Sequence, residues 1–370
     1  MIIRYLTQND ITEHDKVSSQ AFSIECDIYD KNSVLPAEKV LGAFDDDNKT
    51  LFADLEIIDR KCNFDGGLLT CAAVGGVAAK PEHRGKGAVK ELFRYISESE
   101  KYDISILYPF SDEYYRKLGY ERVSNSVSAS IPFSELSKIK RNNDVTMYEG
   151  KDSKKLLEIY NRCASLYNLS FVRENASAFS NKPYFSKKYT YIWKNNSFAS
   201  ITVDRENSVL NVEEIYYDSC ESMLGILGFL RNFEGNQETV CFGKIPENSP
   251  ILNCVSDFKK CDIRVHSTGA AKILNVENVL KSKKYPASNG GFTFGIGEDI
   301  FSVAYSADGT AINKTQNGEP DVIMDTAAAS RILLGGIRRD EFIPGFYVND
   351  PESDFFRIFT PKTTFFTDGF

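Results

Sequence analysis

Two hydrophobic periods alternate along residues 1–132. IIRYLT reads as a short strand, and TEHDKVSSQAFS as a helix opened by Thr12 as its N-cap. Three strand-like segments follow: VLGAF, KTLFADLEIIDRK and LLTCAAVGGVAAK. Turn clusters separate them, Asp45-Asp46-Asp47-Asn48 and Asn63-Phe64-Asp65-Gly66-Gly67. Connections this short predict an antiparallel meander. Val89, Leu92, Phe93 and Ile96 recur at i, i+3, i+4 and i+7, the spacing of a helix with one core-facing side. DISILYP then reads as a strand, DEYYRKLG as a short helix ended by Gly119, and ERVSNSVSASIP as a strand. The sum is strand, helix, three-stranded meander, helix, strand, helix, strand.

Residues 133–150, FSELSKIKRNNDVTMYEG, are polar on average and predict a boundary. Beyond it, helical patterns around 152–168 and 218–234 accompany strand patterns at YTYIWK, SFASITVD and VLNVEEIYY. A third segment begins near 286. GGFTFGIGEDIFSVAYSAD alternates like paired strands, and TAAASRILLGG reads as a helix closing on glycine. There is no repeat of fixed short period and no low-complexity tract.

A chain of 370 residues exceeds one ordinary domain. Its 44 Lys and Arg against 52 Asp and Glu leave a net charge of −8 with no long basic block, which argues against general nucleic-acid binding. A cationic ligand is readily accommodated. The opening MIIRYLTQND lacks the basic start and apolar core of a signal peptide. The longest apolar stretch, Leu68 to Ala79, is too short for a membrane-spanning helix. The expectation is a cytoplasmic protein that does not engage membranes. The eight cysteines form no CxxC pair and are expected to be reduced and mostly buried. His14, His83 and His266 stand far apart, so neither a zinc site nor a Ser-His-Asp triad is suggested, and no metal is expected.

The chemistry concentrates at PEHRGKGAV, residues 81–89, a glycine-containing turn between a strand and a helix. The start of a helix offers unpaired N–H groups and the positive end of its dipole, a common anion site. Gly85 and Gly87 permit close backbone approach, and Arg84 and Lys86 add charge. A dinucleotide fingerprint would need glycine where Lys90 stands. A triphosphate loop would need Ser or Thr where Gly87 stands. The bland alternative is a basic surface turn.

RGKGAV and its preceding strand resemble motif A of the GCN5-related N-acetyltransferases, R/Q-x-x-G-x-G/A, at Arg84, Gly87 and the slot held by Val89. Val89 departs from the usual small residue. EYYRKLGYE resembles the same family's Y-x-x-x-G-[FY], at Tyr115, Gly119 and Tyr120. The resemblance implies a GNAT fold of the α+β class, a mixed and mostly antiparallel sheet with flanking helices. It also implies acetyl-coenzyme A as co-substrate, with its pyrophosphate on the turn and its pantetheine arm along the strand. The cofactor residues so implied are Val77, Ala79, Arg84, Gly85, Lys86, Gly87, Ala88 and Val89. Tyr115 is implied as general acid toward the departing thiolate, a role that suits a phenol of ordinary pKa about 10. Tyr114 is its neighbouring competitor, expected on another face of the helix.

The whole layout resembles the enhanced-intracellular-survival (Eis-like) acetyltransferases. That implies a catalytic GNAT domain at 1–145, a second, degenerate GNAT-like domain without the cofactor loop at 146–285, and a sterol-carrier-protein-like α+β domain at 286–370. Residues 150–285 carry no second R-x-x-G-x-G/A. The chain ends in FFTDGF, and the resemblance gives the α-carboxylate of Phe370 the task of orienting or deprotonating the amine. A frayed tail is the structural alternative. Glu56, on a meander strand, is the second candidate base, and His83 is expected to face solvent. The implied reaction is direct attack of a primary amine on the thioester, the acceptor being an aminoglycoside-like polyamine or a lysine side chain. A protein-lysine acetyltransferase and a non-catalytic sensor of acetyl-coenzyme A or an apolar ligand are the alternatives. A homo-oligomer is expected from the resemblance.

Overall fold

The computed structural model describes residues 1–25, 39–179 and 186–369. In chain order the first elements are β1 (Ile2–Tyr5), α1 (Ile11–Phe22), β2 (Val40–Phe44), β3 (Leu51–Phe64), β4 (Gly67–Ala79), α2 (Ala88–Glu98), β5 (Ile104–Leu107), α3 (Asp112–Arg116) and β6 (Glu121–Pro132). Next come β7 (Val145–Met147), α4 (Ser153–Ala164), β8 (Tyr189–Trp193), β9 (Ser197–Asp204), β10 (Val209–Tyr217), α5 (Cys220–Leu230), β11 (Thr239–Pro246) and β12 (Asp262–Ile273). The remainder is α6 (Val276–Ser282), β13 (Gly290–Ile296), β14 (Asp299–Ser306), β15 (Gly309–Thr315), β16 (Val322–Met324), α7 (Thr326–Gly335), β17 (Phe346–Val348) and α8 (Phe355–Ile358). No helix among the described residues is long and apolar enough to cross a membrane.

Two compact units divide the chain, and neither is continuous in sequence. Met1–Val123, Gly269–Pro361 and Gly369 belong to the first; Ser124–Thr268 and Lys362–Asp368 form the second.

In the first unit the strands lie in the order β1-β2-β3-β4-β5, followed by the end of β12. The meander β2-β3-β4 is antiparallel, as its short turns require. β4 and β5 are parallel, because α2 carries the chain back across the sheet between them. Strand alternation gives the sheet two apolar faces. Leu92, Phe93 and Ile96 of α2 pack on Ala53, Leu55, Ile57, Ala72 and Val74. Val17 of α1 packs on Val40, Phe44, Leu51 and Ala78 from the other side. A smaller sheet, β15-β14-β13-β16-β17, has an aromatic interior in which Phe294, Phe355 and Phe359 are fully enclosed. Lys283 and Asp65 form a buried ion pair at 2.5 Å, joining the end of α6 to the β3–β4 turn.

In the second unit the order is β6-β11-β10-β9-β8-β7. From β7 onward the elements run strand, helix, three strands, helix, strand, the same succession that opens the first unit. β10 and β11 are parallel, with α5 as their crossover. Part of the segment predicted as a polar boundary folds inward: Phe133, Leu136 and Ile139 are buried in this unit's core. Their spacing is apolar at one position in three, which a polar average conceals. The tail segment packs here too. Phe365 and Phe366 are buried, Asn168 donates to the Thr363 carbonyl, and the Phe365 N–H donates to the Asn168 carbonyl. Arg173 binds Asp368 at 2.5 Å and Glu214 at 2.7 Å while lying 3.9 Å over the Tyr160 ring.

Two glycines of α5 make its close packing possible. A Cβ on Gly225 would overlap the ring of Trp193, and one on Gly228 would overlap the Lys140 carbonyl. Alanine at a helix interior normally gains about 1 kcal/mol over glycine. Here overpacking against a buried indole costs about 1–3 kcal/mol and wins. Gly225→Ala should therefore lower the urea-unfolding free energy by about 1 kcal/mol or more. Gly243→Ala, where a Cβ meets only an ordinary van der Waals contact, should leave it unchanged.

Candidate active site

The site begins where β4 loses a neighbour. β4 pairs with β5 from Cys71 to Val74 and no further, yet it continues to Ala79 against β3. Its register against β3 also slips there: Glu56 faces Gly75 and Asp54 faces Ala78, so β4 holds one extra residue. Gly76, with φ of +59°, supplies the left-handed backbone of this bulge. The Lys80 N–H donates to the Phe52 carbonyl of β3 at 3.0 Å. Backbone groups alternate sides along a strand, so those of Ala79 and Val77 point away from β3. They point along the edge that β5 has left open.

That edge is one wall of a cleft of about 760 Å³, formed by Val77, Ala78 and Ala79. The turn contributes His83, Arg84, Gly85 and Gly87, and α2 contributes Ala88, Val89 and Lys90. Ala21 and Phe22 of α1 and the aromatic pair Phe110 and Tyr114 complete it. Gly85 and Gly87 have φ of +78° and +82°, a conformation that strains any residue with a Cβ. Gly87 is the N-cap of α2, and no side chain caps that helix. The first N–H groups of α2 therefore lack a partner on their own helix and border the cleft. An uncapped helix start suits a phosphate-type anion. An open strand edge suits an extended, amide-bearing arm that pairs with backbone. The two features lie end to end along the cleft.

The basic residues divide differently from the sequence expectation. Arg84 lines the cleft; Lys86 does not. The Lys86 Nζ lies 3.0 Å from His83 Nδ1 and 4.8 Å over the Phe52 ring. Lys90, one turn into α2, takes a place on the wall that sequence reasoning did not assign it. His83, expected toward solvent, is half-buried and stacks on Phe52 with ring centroids 4.2 Å apart. Val89 tolerates its slot by turning partly into the core under α2 while still edging the cleft.

Ser111 opens α3 by accepting a hydrogen bond from the Tyr114 N–H, which fixes where the two tyrosines point. Tyr114 is on the cleft wall. Tyr115 lies behind it, 3% exposed, in edge contact with Phe93, Phe110, Tyr114 and Tyr120. Burial pushes its phenol up to about 12, with Tyr114 adding to the effect. Glu56 sits half-buried on β3 opposite Gly75, level with the bulge. Phe370 lies outside the described residues. Sequence reasoning missed Phe22, Phe110, Tyr114 and Lys90 as wall residues, because nothing in a local pattern shows which side chains border a gap between strands.

Comparison with known proteins gives the cleft a context. Residues 2–123 match the family described as Acetyltransferase (GNAT) domain. No curated protein matches the chain. Among solved structures it is similar to Eis1 from Mycobacterium abscessus, at 17% identity, with all of both chains covered and a TM-score of 0.82. It is similar to a GCN5-related N-acetyltransferase from Kribbella flavida, at 17% identity, all of both chains and a TM-score of 0.80. A probable N-acyltransferase of unknown function from Enterococcus faecalis V583 is also similar, at 16% identity over all of this chain and 99% of that one, with a TM-score of 0.81. The chain thus shares its fold with these structures along its length, and its residues 2–123 match a domain family of the GNAT type.

Proposed function

We propose that the protein transfers an acetyl group from acetyl-coenzyme A to a primary amine. The observation that carries this reading is the open β4 edge at Val77 and Ala79 running into the uncapped start of α2 at Gly87. In the proposed complex, Arg84 and the backbone of the turn from Gly85 through Lys86, Gly87 and Ala88 to Val89 receive the pyrophosphate, and Val77 and Ala79 pair with the pantetheine arm. Backbone N–H groups near the bulge polarise the thioester carbonyl. The amine nitrogen attacks that carbon, the carbon–sulfur bond breaks, and the thiolate takes a proton from Tyr115. A phenol held up to about 12 keeps its proton at neutral pH and so remains a donor. The resemblance that gives Tyr115 this role gives the Phe370 carboxylate the task of orienting or deprotonating the amine. A polyamine or a lysine side chain fits that scheme.

The remaining parts are read as support. The second unit repeats the succession of elements and the parallel strand pair, which favours a degenerate GNAT-like domain. Its crossover helix starts differently: Ser219 Oγ accepts from the Ser222 N–H, so a side chain caps that helix. The aromatic interior of the five-stranded sheet favours a scaffold role for a sterol-carrier-like segment over carriage of an apolar ligand.

Purified protein given acetyl-coenzyme A and a panel of amines should release coenzyme A. No release with any amine, despite tight cofactor binding, would favour a sensor. Tyr115→Phe should lower kcat by about 10²-fold or more with cofactor Kd nearly unchanged. If Tyr115→Phe is fully active and Tyr114→Phe is not, the acid is the tyrosine on the wall. Gly87→Val forces a β-branched residue into a left-handed backbone and should weaken coenzyme A binding at least tenfold by calorimetry, about 1.4 kcal/mol. Acetylated lysine peptides, found by mass spectrometry in place of acetylated small amines, would select the protein substrate.

A further inference from the structure

Acetyl transfer needs a proton acceptor as well as a donor, because a primary amine arrives as an ammonium ion at neutral pH. We propose that His14, held by the buried carboxylate of Asp54, takes the proton the attacking amine must lose. This rests on the acetyl-transfer reading above and adds a residue pair to it.

The pair is placed by the fold. Asp54 of β3 is directly opposite Ala78 of β4, and cross-strand partners project from the same sheet face. Ala78 borders the cleft. His14 lies on α1, and Ala21, seven residues on, also borders the cleft. Seven residues are about two helical turns, so His14 and Ala21 share one side of α1. The helix is pinned at this level by a second contact, Lys80 at the end of β4 to Glu13 at 2.5 Å. His14 and Asp54 thus stand on the α1 face of the sheet, within one residue pair of the β4 bulge.

Their geometry is that of an oriented base. His14 Nδ1 is 2.8 Å from Asp54 Oδ2. With the proton on Nδ1 donated to the carboxylate, Nε2 is left as the acceptor. The His14 side chain retains 25% exposure. Asp54 is completely buried, and its Oδ1 has no hydrogen-bond partner among the described residues. A buried carboxylate oxygen without a partner calls for a specific explanation, and a catalytic role is one. In the step proposed, the amine N–H bond breaks as nitrogen attacks the thioester, its proton passes to Nε2, and the imidazolium is stabilised by Asp54.

The charges acting on the imidazole are Asp15 on α1 and Asp54 and Glu56 on β3; Glu13 of α1 is paired with Lys16 and with Lys80, which follows β4. The hydrogen bond to Asp54 raises the His14 pKa most, burial opposes it, and the charges of Asp54, Asp15 and Glu56 raise it further. Burial pushes the Asp54 carboxyl up, and His14 counters that shift. Activity that needs the neutral imidazole therefore falls as pH drops through a raised His14 pKa. Removing Asp54 lowers that pKa and moves the fall to lower pH.

The test uses the full chain with three histidines, few enough to resolve each imidazole by ¹⁵N NMR. His14 should titrate above 6.5, the ordinary histidine value, and Asp54→Asn should bring it down. With acetyl-coenzyme A and cadaverine or N-acetyl-lysine amide, His14→Gln should lower kcat/KM at pH 7 by about 10²-fold or more and abolish the acidic limb of its pH profile. Asp54→Asn should displace that limb to lower pH, a change that a merely structural defect would not produce. An active wild type with an equally active His14→Gln variant and an unmoved limb overturns the inference alone. Absence of transfer by the wild type to both amines overturns the acetyl-transfer reading, and this inference with it. If Asp54→Asn does not fold, His14→Gln and the wild-type titration decide the matter.

Discussion

β4 can satisfy its backbone on both edges only as far as Val74. Past that point β5 ends its pairing, while the residue inserted at Gly75–Ala78 turns the strand against β3. The cleft exists because of this divergence. A central strand with an unpaired edge would normally be a liability, open to pairing with any extended chain. Here the open edge is short, lies inside a concavity, and leads directly into a helix whose first donors are also free. Everything else in the first unit serves to hold that arrangement. α2 must pack tightly on the sheet to aim its start, and its Leu92, Phe93 and Ile96 do so. α1 must close the opposite face without sealing the gap, which its half-buried end at Ala21 achieves.

The second unit shows what becomes of the same divergence when it is filled. β10 and β11 also pair over four residues, Val209–Val212 with Thr239–Phe242, and then part. The space beyond is lined by Ile215, Tyr216, Tyr217, Ile245 and Pro246, and it receives Phe365 from the tail. About 10 Å³ remains, room for one water at most. Burial of Phe365 and Phe366 contributes about 1.5–3 kcal/mol each, which accounts for an ordered tail where fraying is the usual fate. The Arg173–Asp368 pair then fixes the last described turn of the chain, with Tyr160 beneath the guanidinium.

Much of this was legible in the sequence, for a physical reason in each case. Period two and period 3.6 separate β2, β3 and β4 from α2, and the strands and helices lie close to where those periods put them. Gly85 and Gly87 were legible because a positive φ at a strand-to-helix turn selects glycine. The charge of Lys86 was legible but its direction was not, since a long side chain chooses between an anion and the Phe52 face only in three dimensions. Phe22, Phe110 and Tyr114 escaped because each becomes a wall only when remote segments converge. The Tyr115 motif was legible by resemblance, while its place behind Tyr114 came from the Ser111 cap that sets the phase of a five-residue helix. His14 and Asp54 are 40 residues apart and meet only through the register of β3 and the docking of α1.

The difference between the two crossover helices reduces to which atoms satisfy the first N–H groups. At α5 the hydroxyl of Ser219 accepts from Ser222, and the Ser222 hydroxyl reaches back to the Ser219 N–H at 3.0 Å. A reciprocal cap of this kind contributes about 1 kcal/mol to the helix and occupies the Ser222 N–H. At α2 the N-cap is Gly87, whose lack of a side chain forgoes that stabilisation. Glycine at N-cap costs only a few tenths of a kcal/mol relative to Ser, Thr, Asn or Asp. The same residue provides the left-handed turn, so one choice both bends the chain and keeps the donors free. A cap can thus separate an anion-holding helix start from a self-sufficient one on a common framework, at an energy small beside the burial that holds either helix in place.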